Sequence, residues 1–89
     1  MRSHASKETV FTALAAAVRA RRKSVALTQR ELSHLAGCGL DFIYDVEAGK
    51  PTLRLNKLID VLVVLGLELV LDEGKAGLSI ARSLKDDER

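Results

Sequence analysis

Tryptophan is absent from this 89-residue chain, which holds one tyrosine, two phenylalanines, one proline and one cysteine. With aromatics confined to Phe11, Phe42 and Tyr44, the core has to be aliphatic. A lone Cys38 cannot form an internal disulfide, which fits a reducing cytoplasm. No cysteine or second histidine sits at ligand spacing from His34, so no metal or other cofactor is expected. No apolar run reaches the ~18 residues of a membrane span. The opening "MRSHASKETV" lacks the apolar stretch of a signal peptide. There is no nucleophile–base pair, no metal-ligand cluster and no glycine-rich phosphate loop on a strand, which argues against an enzyme. The expectation is a cytoplasmic, non-enzymatic single domain. A domain of this size buries a limited share of its surface, and oligomerisation is a common remedy.

The net charge of +2 says less than its distribution. Residues 1–57 carry ten Lys and Arg against five Asp and Glu, a net of +5. Residues 58–89 carry four against seven, a net of −3. The first part is the one that would meet a polyanion; a random surface bias is the alternative.

Along the chain, residues 1–8 read as a flexible N-terminus, 9–72 as the folded domain and 73–89 as a flexible tail with a weak helix near "LSIARSL". Thr9 is placed to cap a first helix whose stripe is Phe11, Leu14, Ala15 and Val18. That helix ends in "RARRKS", where cations suit a helix C-terminus and equally suit phosphate contact. "LTQRELSHLAG" is a sharp second start: Thr28 is an N-cap, Glu31 completes a capping box, Leu32, Leu35 and Ala36 face inward, and Gly37 stops the helix. "GLDFIYDVEAGKP" follows. Its inner side is Phe42, Ile43 and Val46, its outer side Leu40, Asp41, Tyr44, Asp45 and Ala48, and Gly49 and Pro51 end it. A fourth helix runs from about Arg54 to Leu65, with Leu55, Leu58, Ile59 and Leu62 as its core stripe and valines on further sides. After Gly66, "LELVLDEG" alternates with period two, which predicts one strand. A lone strand leaves backbone groups unpaired, so pairing with its copy across a two-fold axis is expected.

Two short helices joined by "GCG", with helices on either side, are the helix-turn-helix arrangement, in which one helix enters the major groove and its predecessor braces it. Over Val10 to Leu65 the spaced pattern Arg22, Leu27-Thr28-Gln29, Glu31-Leu32, Ala36-Gly37, Ile43, Val46-Glu47, Gly49-Lys50-Pro51 and Leu55/Leu58 resembles the xenobiotic-response-element (lambda-repressor-like) family. The trailing "LGLELVL" resembles its HipB-like antitoxin branch. This chain departs from the family at Gly39, usually Ser or Thr, at Leu40 and Asp41, where a polar or basic residue is usual, and at Ala26, commonly Gly.

The resemblance implies an all-α fold of four to five helices with one C-terminal β-strand pairing across a dimer. It implies a homodimeric repressor of double-stranded operator DNA that also neutralises a HipA-like kinase toxin; a protein-interaction antitoxin or a stand-alone regulator with weak DNA readout is the alternative. Residue by residue it places Leu40, Asp41, Tyr44 and Asp45 on base-reading positions. It places Thr28, Gln29, Lys50 and Arg54 at phosphates and pairs Arg22 with Glu47 in a structural ion pair. The dimer interface falls on Val61, Val64, Leu67, Leu69, Val70 and Leu71. On an acidic reading helix a carboxylate can accept from cytosine N4, while flanking cations supply affinity. The alternative is that Asp41 and Asp45 solvate an exposed face and favour its N-terminal dipole.

Overall fold

In the computed structural model of the chain, which describes residues 2–74 and the side chains of residues 10–74, four helices follow one another: α1 (Arg2–Ser24), α2 (Gln29–Ala36), α3 (Leu40–Glu47) and α4 (Leu55–Val64). Helix α2 lies between α3 and α4, and α3 also packs on α1. Helices of eight to ten residues do not persist alone in water, so packing holds α2, α3 and α4 in place. Their shared core is Val18, Leu32, Ile43, Val46, Leu58, Val61, Leu62 and Leu65, with Leu14, Leu27 and Phe42 against it. It is aliphatic, as the scarcity of aromatic residues requires.

All four helices end in the same way. A 6→1 backbone bond (Leu27 to Arg22, Cys38 to Ser33, Lys50 to Asp45, Leu67 to Leu62) accompanies a 5→2 bond. That is the Schellman cap, and it needs a left-handed residue between helix and exit. Gly37, Gly49 and Gly66 supply it after α2, α3 and α4. After α1 the position falls to Ala26, at φ +60°. A Cβ in that region costs about 1–2 kcal/mol. Part of this returns through the smaller entropy of an unfolded alanine. Ala26→Gly is therefore expected to stabilise the protein by about 0.5–1 kcal/mol, visible as a higher urea midpoint at unchanged slope. A lower midpoint would show that the turn is unstrained.

Several expectations are corrected. Helix α1 begins at Arg2, so Thr9 falls within the helix and not at its start. Neither Gly nor Pro precedes Thr9 to stop the helix from extending. On α2 Leu32 and Ala36 face the core as expected, joined by the buried Ser33, while Leu35 is exposed. Ser33 tolerates burial because its hydroxyl donates to the Arg30 carbonyl at 2.7 Å. On α4 the buried stripe is Leu58, Val61, Leu62 and Leu65; Leu55 and Ile59 face outward. Both stripes have i, i+3, i+4, i+7 spacing, and a helix apolar nearly all round gives periodicity no way to choose between them. Val61, expected at a dimer interface, is 0% exposed within the single chain and cannot reach a partner. Val64 and Leu67 are half-buried against the same core.

The strand expected over residues 67–72 is absent among the described residues. A strand exists only as part of a hydrogen-bonded ladder, and the described residues offer the segment no second strand. Leu69, Val70 and Leu71 are exposed there. The helix expected near "LSIARSL" lies outside the described residues.

Candidate nucleic-acid interface

Helix α3 turns Ile43, Val46 and Glu47 inward. Asp41, Tyr44 and Ala48 are exposed, and Leu40 and Asp45 are half-buried at the margin. Asp41, Tyr44, Asp45 and Ala48 share i, i+3, i+4, i+7 spacing and form one face, opposite the packing against α1 and α2. Three of the four expected base-reading residues, Asp41, Tyr44 and Asp45, thus lie together on the outer side of α3, and Leu40 sits at its margin. Gly39 provides no side-chain cap at the start of this helix.

The seating of α3 depends on one buried carboxylate. Glu47, its last residue, accepts two hydrogen bonds from Arg22 in the last turn of α1: Nε to Oε2 at 2.7 Å and Nη2 to Oε1 at 3.0 Å. Arg22 and Glu47 are only 9% and 8% exposed. The remaining guanidinium nitrogen, Nη1, donates to the Leu27 carbonyl at 2.9 Å, which fixes the turn into α2. The hydrogen bonds to Glu47 raise the Arg22 pKa against the opposing effect of burial, so the guanidinium keeps its charge. Gln29, the first residue of α2, donates its amide to Glu47 Oε1 at 3.0 Å. One acid therefore ties three helices together. It points into the protein and presents no negative charge to a phosphate.

The expected phosphate residues are partly engaged already. Gln29 commits one of its two amide N–H groups to Glu47, and the other remains. Thr28 and Glu31 form a complete capping box, Thr28 Oγ1 accepting at 3.0 Å and Glu31 Oε1 at 2.8 Å. The Thr28 hydroxyl keeps its own proton to donate. Lys50 is exposed beyond α3, with Nζ 3.4 Å from Asp45 Oδ2. Arg54 is exposed at the N-cap position of α4 and makes no cap hydrogen bond.

The basic run divides by role. Arg22 is internal. Arg21 Nε donates to the Leu65 carbonyl at 2.8 Å, closing the C-terminus of α4, where a cation also meets the negative end of the helix dipole. Arg19 and Lys23 remain exposed. Arg19 Nε lies 3.8 Å from Glu47 Oε1, which places an outward-facing cation beside Gln29. Sequence reasoning assigned none of this to Arg19 or Arg21 individually. The partner of Arg21 is 44 residues away and is a backbone carbonyl, which leaves no local pattern to find.

Cys38 is half-buried in the turn between α2 and α3. Burial pushes its thiol pKa up; Lys57 pulls it down and Asp60 opposes Lys57. A raised thiol pKa disfavours the reactive thiolate. His34 is exposed on α2. Among the described residues no group of side chains could hold a metal ion, and no helix is long and apolar enough to cross a membrane.

No protein-family model matches the chain. It is 48% identical over 56 residues to the protein named "Uncharacterized HTH-type transcriptional regulator y4mF" of Sinorhizobium fredii (strain NBRC 101917 / NGR234). The match covers 63% of this chain and 74% of that protein. It agrees with the helical architecture of the described residues. The chain belongs to the helix-turn-helix transcriptional regulators, proteins that bind DNA.

Proposed function

We propose that the protein is a dimeric, sequence-specific repressor of the xenobiotic-response-element (lambda-repressor-like) type, with α3 as the helix that enters the major groove. The observation that carries this reading is the two-sidedness of α3: its inner side is held by Arg22 and Glu47, while Asp41, Tyr44 and Asp45 lie along the opposite side, with Leu40 at its margin. Thr28, Gln29, Lys50 and Arg54 then contact phosphates around it. Titration of the full chain against duplexes from its own promoter region at low salt tests the reading. Failure to shift any of them would refute it.

Dimerisation is supported by the exposed apolar surface of α4 and the segment after it. Leu55, Ile59 and Val63 form an outward stripe at intervals of four, and Leu69, Val70 and Leu71 follow. Ile59, Val63, Leu67 and Leu69 line a shallow groove. Antiparallel pairing of residues 67–72 with a second copy, centred on Leu69, sets leucine against leucine. Centring it on Val70 would set Glu68 opposite the partner's Asp72, a like-charge pair that destabilises a ladder. The dimer interface is therefore Leu69, Val70 and Leu71 with the α4 stripe, Val64 and Leu67 lying beneath. Wild-type protein is expected to have twice the chain mass in solution at micromolar concentration, and Leu69→Asp to have the mass of one chain. A wild-type monomer would remove the interface.

A second function, binding of a HipA-like toxin as its antitoxin, is favoured by the acidic balance of residues 58–89. Co-expression with the product of the adjacent gene tests it: the two proteins should purify together, and independent elution would reject the role.

A further inference from the structure

Asp45 has a double position. It lies on the outer face of α3 with Asp41 and Tyr44, and its carboxylate is also held by Lys50 at 3.4 Å. The pairing is built into the end of the helix. Lys50 N–H donates to the Asp45 carbonyl at 3.1 Å as the 6→1 bond of the cap. That bond fixes the two backbones relative to each other, so the two side chains start close together. Both are about half exposed, 42% and 50%. The ion pair is therefore weak enough to open, since exposed pairs contribute little. Asp41, on the same face, has no such partner among the described hydrogen bonds and ion pairs.

Two anions compete for Lys50 when a duplex docks on α3: the Asp45 carboxylate and a backbone phosphate. If Lys50 leaves for the phosphate, Asp45 faces the groove as an unpaired carboxylate at a surface that is losing its water, which is unfavourable unless a donor replaces the ammonium. In the major groove the amino group of cytosine, N4, is a donor suited to a carboxylate. A guanine or thymine presents acceptors at the corresponding edge and would repel it, and adenine sets its N6 donor beside the N7 acceptor, which opposes a carboxylate.

We propose that Asp45 is a specificity-determining residue that couples base identity to a backbone contact. Where a cytosine N4 meets Asp45, the carboxylate transfers to the base and Lys50 is released to a phosphate. Where none does, Asp45 retains Lys50 and neither contact forms. One base is thereby read twice, once directly and once through the phosphate contact it permits. The proposal rests on α3 being the DNA-facing helix and adds to that reading the identity of one base and the way its recognition is amplified.

The test uses the full-length wild type and the variants Asp45→Asn, Lys50→Ala and Asp45→Asn/Lys50→Ala, each checked for helical circular dichroism. Wild-type protein first selects duplexes from a random-sequence pool. Affinities for a selected duplex and for an unselected one are then measured across a salt series. A phosphate contact by one lysine adds about 0.9 to the slope of log K against log salt. In the wild-type background, Lys50→Ala is expected to flatten the slope by about that amount on the selected duplex and to leave it unchanged on the unselected one. In the Asp45→Asn background Lys50 is unrestrained, so its removal flattens the slope on both. Asp45→Asn is also expected to lower discrimination at one cytosine by roughly fivefold or more. Equal flattening by Lys50→Ala on both duplexes in the wild-type background would overturn the coupling, as would an unaltered base preference in Asp45→Asn. If the wild type selects nothing and binds no duplex, the assignment of α3 to DNA fails and the coupling falls with it, a result distinct from either of the others.

Discussion

Glu47→Gln destabilises the protein by about 3–5 kcal/mol, the usual cost of removing one partner from a buried ion pair. A chain of this length has a total stability of roughly 4–13 kcal/mol, so the loss is a large part of the whole. It lowers the melting temperature by more than ~12 °C, since each kcal/mol moves the midpoint of so small a domain by ~4–8 °C. The magnitude follows from how completely Arg22 is engaged. Its Nε and Nη2 both point at the Glu47 carboxylate, and both residues are buried. A glutamine offers one acceptor oxygen, and its amide nitrogen is a donor set against a donor. The guanidinium would stay charged and buried with its counter-charge gone and one of its three hydrogen bonds lost. Gln29 would also lose a charged acceptor.

A paired variant separates the penalty of an orphaned charge from the worth of the pair itself. Arg22→Met with Glu47→Leu removes both charges and fills the space with apolar atoms of similar length. Such replacements are often neutral. Here some loss remains, about 1 kcal/mol, because Arg22 Nη1 also serves the Leu27 carbonyl. The double variant is therefore expected to unfold at a higher urea concentration than Glu47→Gln alone. If Glu47→Gln costs under ~1 kcal/mol, the pair behaves as an exposed one and the account of how α3 is seated is wrong.

The pair also shows what the sequence could and could not reveal. Helices α2 and α3 were legible almost to the residue because their signals are local. Thr28 and Glu31 announce one start, and Gly37 and Gly49 announce two ends at φ values that favour glycine. The pairing of Arg22 with Glu47 was legible through resemblance, since nothing local links residues 25 apart. What could not be read is which side of α4 is buried. Leu55, Ile59 and Leu62 match a helical stripe as well as Leu58, Val61 and Leu65 do, and only the placement of α2 and α1 decides between them. The same limit misplaced Val61 at an interface. The alternation in "LELVLD" identified a segment fit to pair but could not supply the second strand. On the outer face of α3, the residue types were visible in the sequence, but the 3.4 Å approach of Lys50 to Asp45 was not. That approach separates two aspartates that the sequence treated alike: Asp45 is partnered and Asp41 faces outward without such a tie.

The dependence of DNA affinity on salt is expected to be steep, and its steepness reports the number of chains on the duplex. Three exposed cations flank α3 in one chain: Lys50 and Arg54 after it, and Arg19 beside Gln29. Arg21 and Arg22 are excluded from the count, because a carbonyl and a buried carboxylate already hold them. At about 0.9 per neutralised phosphate, one bound chain gives a slope near −2.7 and two give a slope near −5.4. Between 50 and 200 mM salt the first corresponds to a loss of roughly 40-fold in affinity and the second to a loss of roughly 10³-fold. Fluorescence anisotropy on a selected duplex distinguishes these outcomes readily. Arg54→Ala in both chains of a dimer is expected to flatten the slope by about 1.8. A slope near −2.7 on a palindromic duplex would mean that a single chain binds, and the proposed interface through Leu69 would then have no part in recognition. A slope near zero would mean that the acidic face of α3 holds the phosphates too far from these cations for counterions to be released, and the docking of α3 itself would have to be abandoned.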